Sequence, residues 1–180
     1  NADDKLLVSK ADRYPGEIIW FSLDPDNPIV EQHVADGGTA FVFDAPDLVM
    51  QVSDERDVIC SASDIAITLN GAALHNVANS LAAAALTMSL GADLQDVRSG
   101  LMSVTQDQNP GRCNIYDIDG RNVLVDFEKN PHAMQPLFGM AESQPAKRRG
   151  LCFGQAGDRP DGPIGELERD AWSIGLDSVH

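Results

Sequence analysis

The sequence is short of positive charge. Its 180 residues carry 13 Lys and Arg against 28 Asp and Glu, for a formal net charge of −15. Nucleic acid and anionic membranes both select a basic footprint, so neither is expected as a partner. An acidic surface suits a cationic substrate such as arginine or lysine, and it equally suits plain solubility. Cysteine is scarce too. Cys60, Cys113 and Cys152 are odd in number, far apart, and form no CxxC or Cys/His cluster. That pattern supports neither a zinc site nor a disulfide framework. Reduced thiols in a cytoplasmic protein are the expectation. No apolar run reaches transmembrane length, and no signal-peptide pattern opens the chain. The P-loop pattern GxxxxGK followed by Ser or Thr is absent, as is GxGxxG after a first strand. The second absence sets aside a nicotinamide-dependent oxidoreductase.

What is present is a chain able to fold. Hydrophobic residues make up 43% of it, enough to make a packed core feasible and disorder unexpected. The length suits one ordinary domain or parts of two. Asn1 is not an initiator Met, so the sequence reads as a fragment, an excised domain or a processed product.

The chain is organised around Asn70 to Gly91. Asn70-Gly71 is a turn signal and Gly91 a helix stop. Between them Leu74, Val77, Ala78, Leu81, Ala82, Ala85 and Leu86 recur at the spacing of one helical face. Ala-rich helices pack close to their neighbours. Asn76 and Asn79, three apart, share a face. Paired carboxamides offer donors and acceptors together, which suits the edge of a purine. Helix chemistry alone reads them, with His75, as caps or solvent contacts.

Before this helix, Glu17–Leu23 reads as a strand and Pro28–Asp36 as a helix ended by Gly37-Gly38. Thr39–Phe43 and Asp47–Val52 read as a hairpin around Ala45-Pro46, and Arg56–Thr68 as one or two more strands. After it, Asp93 is a good N-cap for a helix carrying Leu94, Val97 and Leu101. Residues 106–111 are polar and turn-rich, the expected linker between two domains. Cys113–Ile118, Asp119-Gly120 and Asn122–Phe127 then spell a hairpin. Helices from Pro131 and from Ile164, with strands at Gly150–Gly154 and from Asp177, give strand–helix alternation. That implies a parallel sheet with crossovers, so the second half is α/β.

Three segments sit where an α/β protein places a site, at carboxyl ends of strands. Pro110-Gly111-Arg112 offers a guanidinium that suits a nucleotide, or a surface cation beside a turn. Val125 to Pro131 offers Asp126, an acceptor for ribose hydroxyls or a helix cap, and Lys129, a point charge for phosphate. Gly154 to Arg159 offers a Gly-rich turn that lets backbone approach a ligand, though most such turns are only turns.

These segments share a resemblance. His75-Asn76-Val77-Ala78-Asn79, followed by Leu81-Ala82-Ala83-Ala84, resembles the HNxxNxLAA helix of the Mur ligase family. Its members are ATP-dependent ligases that join an amino acid to a carboxylate. Asn1-Ala2-Asp3-Asp4, Gly111-Arg112, Val125-Asp126 with Asn130-Pro131, and Gly154 to Arg159 are similar to further family motifs in the same order. Glu128-Lys129 departs from them, standing where the family usually has a small residue and then His.

The resemblance implies an α/β fold. Residues 1–108 would be the later part of a central ATP-binding domain, and 109–180 the start of a Rossmann-like C-terminal domain. It places Asn76 and Asn79 at adenine, Arg112 on the nucleotide, Asp126 on ribose, Lys129 near phosphate, and Asp158 and Arg159 on the substrate side. It implies ATP and Mg2+ as cofactors, with the P-loop and magnesium ligands before Asn1 and no metal ligand here. Amino-acid and carboxylate substrates follow, with arginine added to an aspartate side chain in the members most alike, and a homo-oligomer is compatible. Such a fragment would be inactive alone. The competing expectation is a degenerate, non-catalytic relative serving as a scaffold.

Overall fold

The computed structural model describes residues 1–127, 131–152, 161–173 and 175–179. The chain divides into two compact units, Asn1–Thr105 and Gln106–His180. The division falls at the start of the polar stretch 106–111.

The first unit opens with helix α1, Lys5–Ala11, whose N-cap Asp4 accepts from the Leu6 and Leu7 amides. Strand β1, Trp20–Ser22, is shorter than the Glu17–Leu23 run. Helix α2, Pro28–Ala35, is capped by Asn27 and carries Pro at its first position. Asp3 ties the ends of these pieces together. Its carboxylate accepts from Ser22 Oγ at 2.6 Å, the Leu23 amide at 2.9 Å and Asn27 Nδ2 at 3.1 Å.

Strands β2, Thr39–Asp44, β3, Asp47–Val52, and β4, Glu55–Ser61, complete a sheet of order β1-β2-β3-β4. β1 runs parallel to β2, and the other pairs are antiparallel. The Arg56–Thr68 stretch holds one strand, not two. After β4 the chain makes two single turns of 3-10 helix, Ala62–Asp64 and Ala66–Thr68. Ser61 and Asp64 form a reciprocal cap there, so local side-chain bonds replace a ladder.

Helix α3, Leu74–Ser89, lies on this sheet, and α4, Leu94–Ser103, packs beside it, capped by Asp93 at 2.8 Å from the Asp96 amide. The buried stripe of α3 is Val77, Ser80, Leu81, Ala84 and Ala85. It meets Phe41, Leu48 and Ile59 of the sheet. The stripe is rotated from the expected one: Leu74 is 45% and Leu86 64% exposed. In an Ala-rich helix several faces are small enough to pack, so volume fit decides which one turns inward. The far edge strand β4 is covered by Arg98, whose guanidinium donates to the Val58 carbonyl at 2.9 Å and to that of Ile59. Covering an edge in this way blocks further strand pairing.

The second unit begins with hairpin β5, Asn114–Ile118, and β6, Arg121–Val125. Its turn residues Asp119 and Gly120 have φ of 53° and 73°, the primed turn that matches strand twist. Helix α5, Pro131–Ser143, leads to β7, Gly150–Leu151. Helix α6, Asp161–Ser173, then crosses to β8, Ser178–Val179, parallel to β7. The expected parallel crossover is present in β7–α6–β8, and the correction concerns β6, expected in the same sheet. Among the described residues β6 pairs with β5 alone, and β7 pairs with β8 alone. Met134, Phe138 and Ala171 form the core between α5 and α6, with Leu137, Leu151 and Leu176 against it.

Candidate functional site

In the first unit the site is built from the turn that launches α3. Leu69, Asn70 and Gly71 hold φ of 53°, 58° and 86°. Left-handed backbone is costly for a side chain like Leu69, so the surroundings must impose it. Thr68, fully buried, does so. Its hydroxyl donates to the Ala62 carbonyl at 2.5 Å, has the Ile65 carbonyl at 2.9 Å, and accepts from the Gly71 amide at 3.2 Å. The Ala73 amide closes the turn on the Thr68 carbonyl at 2.8 Å.

The helix then starts at Ala73 with no side-chain cap, so neither Asn76 nor Asn79 serves as one. Asn76 points back to the turn, its Nδ2 donating to the Ile67 carbonyl at 2.7 Å. That bond fixes the amide so that Oδ1 faces Asn79, whose Nδ2 is 3.5 Å away. This contact is at the limit of a hydrogen bond, and Asn79 makes no other among the described residues. Asn79 is exposed. An oriented amide beside one with spare donors and acceptors is a surface that can read a base edge.

In the second unit Arg112 and Asp126 come together at the start of β5 and the end of β6. Asn114, 2% exposed, sets the loop before Arg112. Its Oδ1 accepts from the Gly111 amide at 2.5 Å and the Arg112 amide at 3.2 Å, and its Nδ2 donates to the Gln106 carbonyl at 2.9 Å. The Arg112 guanidinium sits over the Phe127 ring, 5.5 Å from its centroid, a cation–π contact. Asp126 accepts from Cys113 Sγ at 2.9 Å and from the Phe127 amide at 2.7 Å. Cys113 is buried, with φ of 51°. A guanidinium and a carboxylate are thus presented from adjacent chain segments, each held by a neighbour.

Asn114 and Cys113 did not stand out in the sequence. Asn114 opens an alternating strand, where a polar residue reads as surface, and only the turn-rich stretch before it hinted at bonds to satisfy. Cys113 read as one of three unpaired thiols. Lys129, with its neighbour Glu128, and Asp158 and Arg159 lie outside the described residues.

No family model matches the chain. Its fold is similar to that of MurF from Acinetobacter baumannii, with a TM-score of 0.60 at 18% identity, covering 92% of this chain and 38% of that one. In sequence it is similar to the cyanophycin synthetase of Synechocystis sp., 30% identical over 176 residues, 97% of this chain and 20% of that protein. It is also similar to the UDP-N-acetylmuramoylalanine–D-glutamate ligase of Streptomyces coelicolor, 31% identical over 186 residues, 98% of this chain and 36% of that protein. The chain spans about a fifth of the length of the cyanophycin synthetases it matches. In sequence and in fold alike the chain is similar to Mur ligases. Within that resemblance, the likeness to cyanophycin synthetases runs over nearly its whole length.

Proposed function

We propose that this chain is the base-and-ribose side of the ATP site in an acid–amino-acid ligase. The reading rests first on the relation to cyanophycin synthetase across 97% of the chain. Residues 1–108 would be the later part of the central ATP-binding domain and 109–180 the first part of the C-terminal domain. Asn76 and Asn79 would hold adenine, Asp126 the ribose hydroxyls, and Arg112 the nucleotide. The fit is chemical. Asn79 is outward with hydrogen-bonding capacity to spare, and Asp126, which accepts one bond at each of its two oxygens, retains lone pairs for hydroxyl donors. Lys129 would reach phosphate, and Asp158 with Arg159 would order the substrate side.

In the reaction a substrate carboxylate oxygen attacks the γ-phosphorus of ATP, forming an acyl phosphate and releasing ADP. An amine nitrogen then attacks the acyl carbon, phosphate leaves, and an amide or isopeptide remains. Bound magnesium supplies charge neutralisation on the phosphate oxygens. This chain's residues act by holding the nucleotide in register, which lowers the entropic part of the barrier. By analogy with the named relatives the amine is an amino acid, arginine being the first to try against an aspartate-rich acceptor. The whole protein is expected in the cytoplasm, with a homo-oligomer compatible and no nucleic acid or membrane partner. The segment alone should be inactive.

The test follows ADP release by the full-length protein with ATP, magnesium, a panel of amino acids and acidic peptide acceptors. Release that requires one amino acid and one acceptor supports the ligase. No release with any pair, together with no measurable ATP binding, leaves a non-catalytic scaffold with an inherited fold.

A further inference from the structure

The second unit holds a cavity of about 710 Å3 whose lining includes neither Arg112 nor Asp126. It lies along β6 from the hairpin turn, with its cations at the turn and in the stretch before β7. Gly120 to Leu124 of the hairpin, Ala141 and Gln144 at the end of α5, and residues 145–152 with the start of β7 surround it. Asp126 is at the carboxyl end of β6, five residues from Arg121, or roughly 17 Å along an extended strand.

Its charge is the opposite of the chain's. Four of the 13 cations, Arg121, Lys147, Arg148 and Arg149, are among its lining residues, and among the described residues no Asp or Glu is. Arg149 is already tied, donating to the carbonyls of Ala141, Glu142 and Gln144 at 2.9–3.3 Å. Arg121, Lys147 and Arg148 are exposed, and their side chains have no ion pair or hydrogen bond among the described residues. Beside them the lining carries an apolar set, Leu124, Leu137, Phe138 and Leu151, together with the neutral polar Asn122 and Gln144. Like charges gathered without counter-charges repel one another. An anion seated among them would remove that repulsion, and the apolar lining would take a nonpolar body beside it. The volume is in the range of small-molecule sites.

We propose that this cavity is a second ligand site, separate from the nucleotide segments, for an organic anion with two negative charges beside an apolar body. A phosphate ester and a dicarboxylate share that chemistry. Three unpaired cations set the charge, and the apolar lining sets the body. The site does not rest on the ligase reading and would stand if that reading failed.

The test is calorimetry on the full-length protein saturated with a non-hydrolysable ATP analogue and magnesium. The probes are 1-naphthyl phosphate, naphthalene-1,8-dicarboxylate and, as an uncharged control, 1-naphthol. At least one anionic probe should bind saturably, and which one identifies the headgroup. The triple variant Arg121→Gln, Lys147→Gln and Arg148→Gln, whose side chains make no bond among the described residues, should keep its melting temperature and lose at least tenfold in affinity. Raising salt should weaken binding in wild type. No saturable binding by either anion, equal binding of 1-naphthol, or unchanged affinity in the folded triple variant would overturn the proposal.

Discussion

The two units hold their functional side chains by different means. In the first, α3 sits on a four-stranded sheet through Val77, Leu81, Ala84 and Ala85, and Asn79 is carried outward on the opposite, exposed part of that packed helix. In the second, the described core between α5 and α6 is small, and Arg112 and Asp126 are held by bonds within one hairpin. Packing positions one segment and local polar bonds position the other. A rigid scaffold tolerates loss of any single surface bond, whereas a loop held by one buried amide does not.

The comparison breaks most visibly at Leu81, fully buried between α3 and the sheet. Leu81→Ala should cost about 3 kcal/mol, the removed methyls plus the cavity left. Chemical denaturation of the full-length protein reads this as a lower midpoint for the transition of the first unit. A loss under about 1 kcal/mol would mean α3 is not locked by packing. Next comes Asn114→Ala. It strips one acceptor from two amides and one donor from a carbonyl, at a cost of about 2 kcal/mol. Arg112 would also lose its placement, so nucleotide affinity should fall together with stability. Thr68→Val keeps the shape and removes the hydroxyl that holds Leu69 to Gly71. About 1–2 kcal/mol is expected, with Asn76 losing its alignment on Ile67 and affinity falling.

A smaller effect separates the thiols. Burial pushes the Cys60 thiol up, Asp64 and Asp47 add to that, and Arg98 opposes it. A raised pKa means the folded state holds its proton more tightly than the unfolded one. The stability this supplies is full below the ordinary thiol value of 9.0 and is lost as pH rises through the folded value. Melting temperatures above pH 9 should therefore fall more steeply in wild type than in Cys60→Ala. At neutral pH iodoacetamide should label exposed Cys152 well before buried Cys60 and Cys113.

Much of this comparison was legible in the sequence, and the gaps have physical causes. The 70–91 helix, the α2 stop at Gly37 and the Asp119-Gly120 hairpin were written in turn chemistry and period, which act locally. The rotation of the α3 stripe was not, because Ala leaves the choice of face to the sheet beneath. Thr68 and Asn114 were missed for a shared reason. Their bonds run to backbone carbonyls and amides, and sequence does not show which backbone groups lack a partner. The separate pairing of β6 and β7 escaped too, since strand neighbours across a crossover are set by tertiary packing, not by pattern.

The central claim is that both units contribute to one nucleotide-binding function. The most direct measurement is ATP-analogue affinity of the full-length protein, comparing wild type with Asn79→Ala and Asp126→Ala, with melting temperatures alongside. Asn79 is exposed and makes one marginal internal bond, so its variant should stay within about 0.5 kcal/mol of wild-type stability. The account predicts at least a tenfold loss of affinity in each variant, in folded protein. Wild-type affinity in both variants would contradict it.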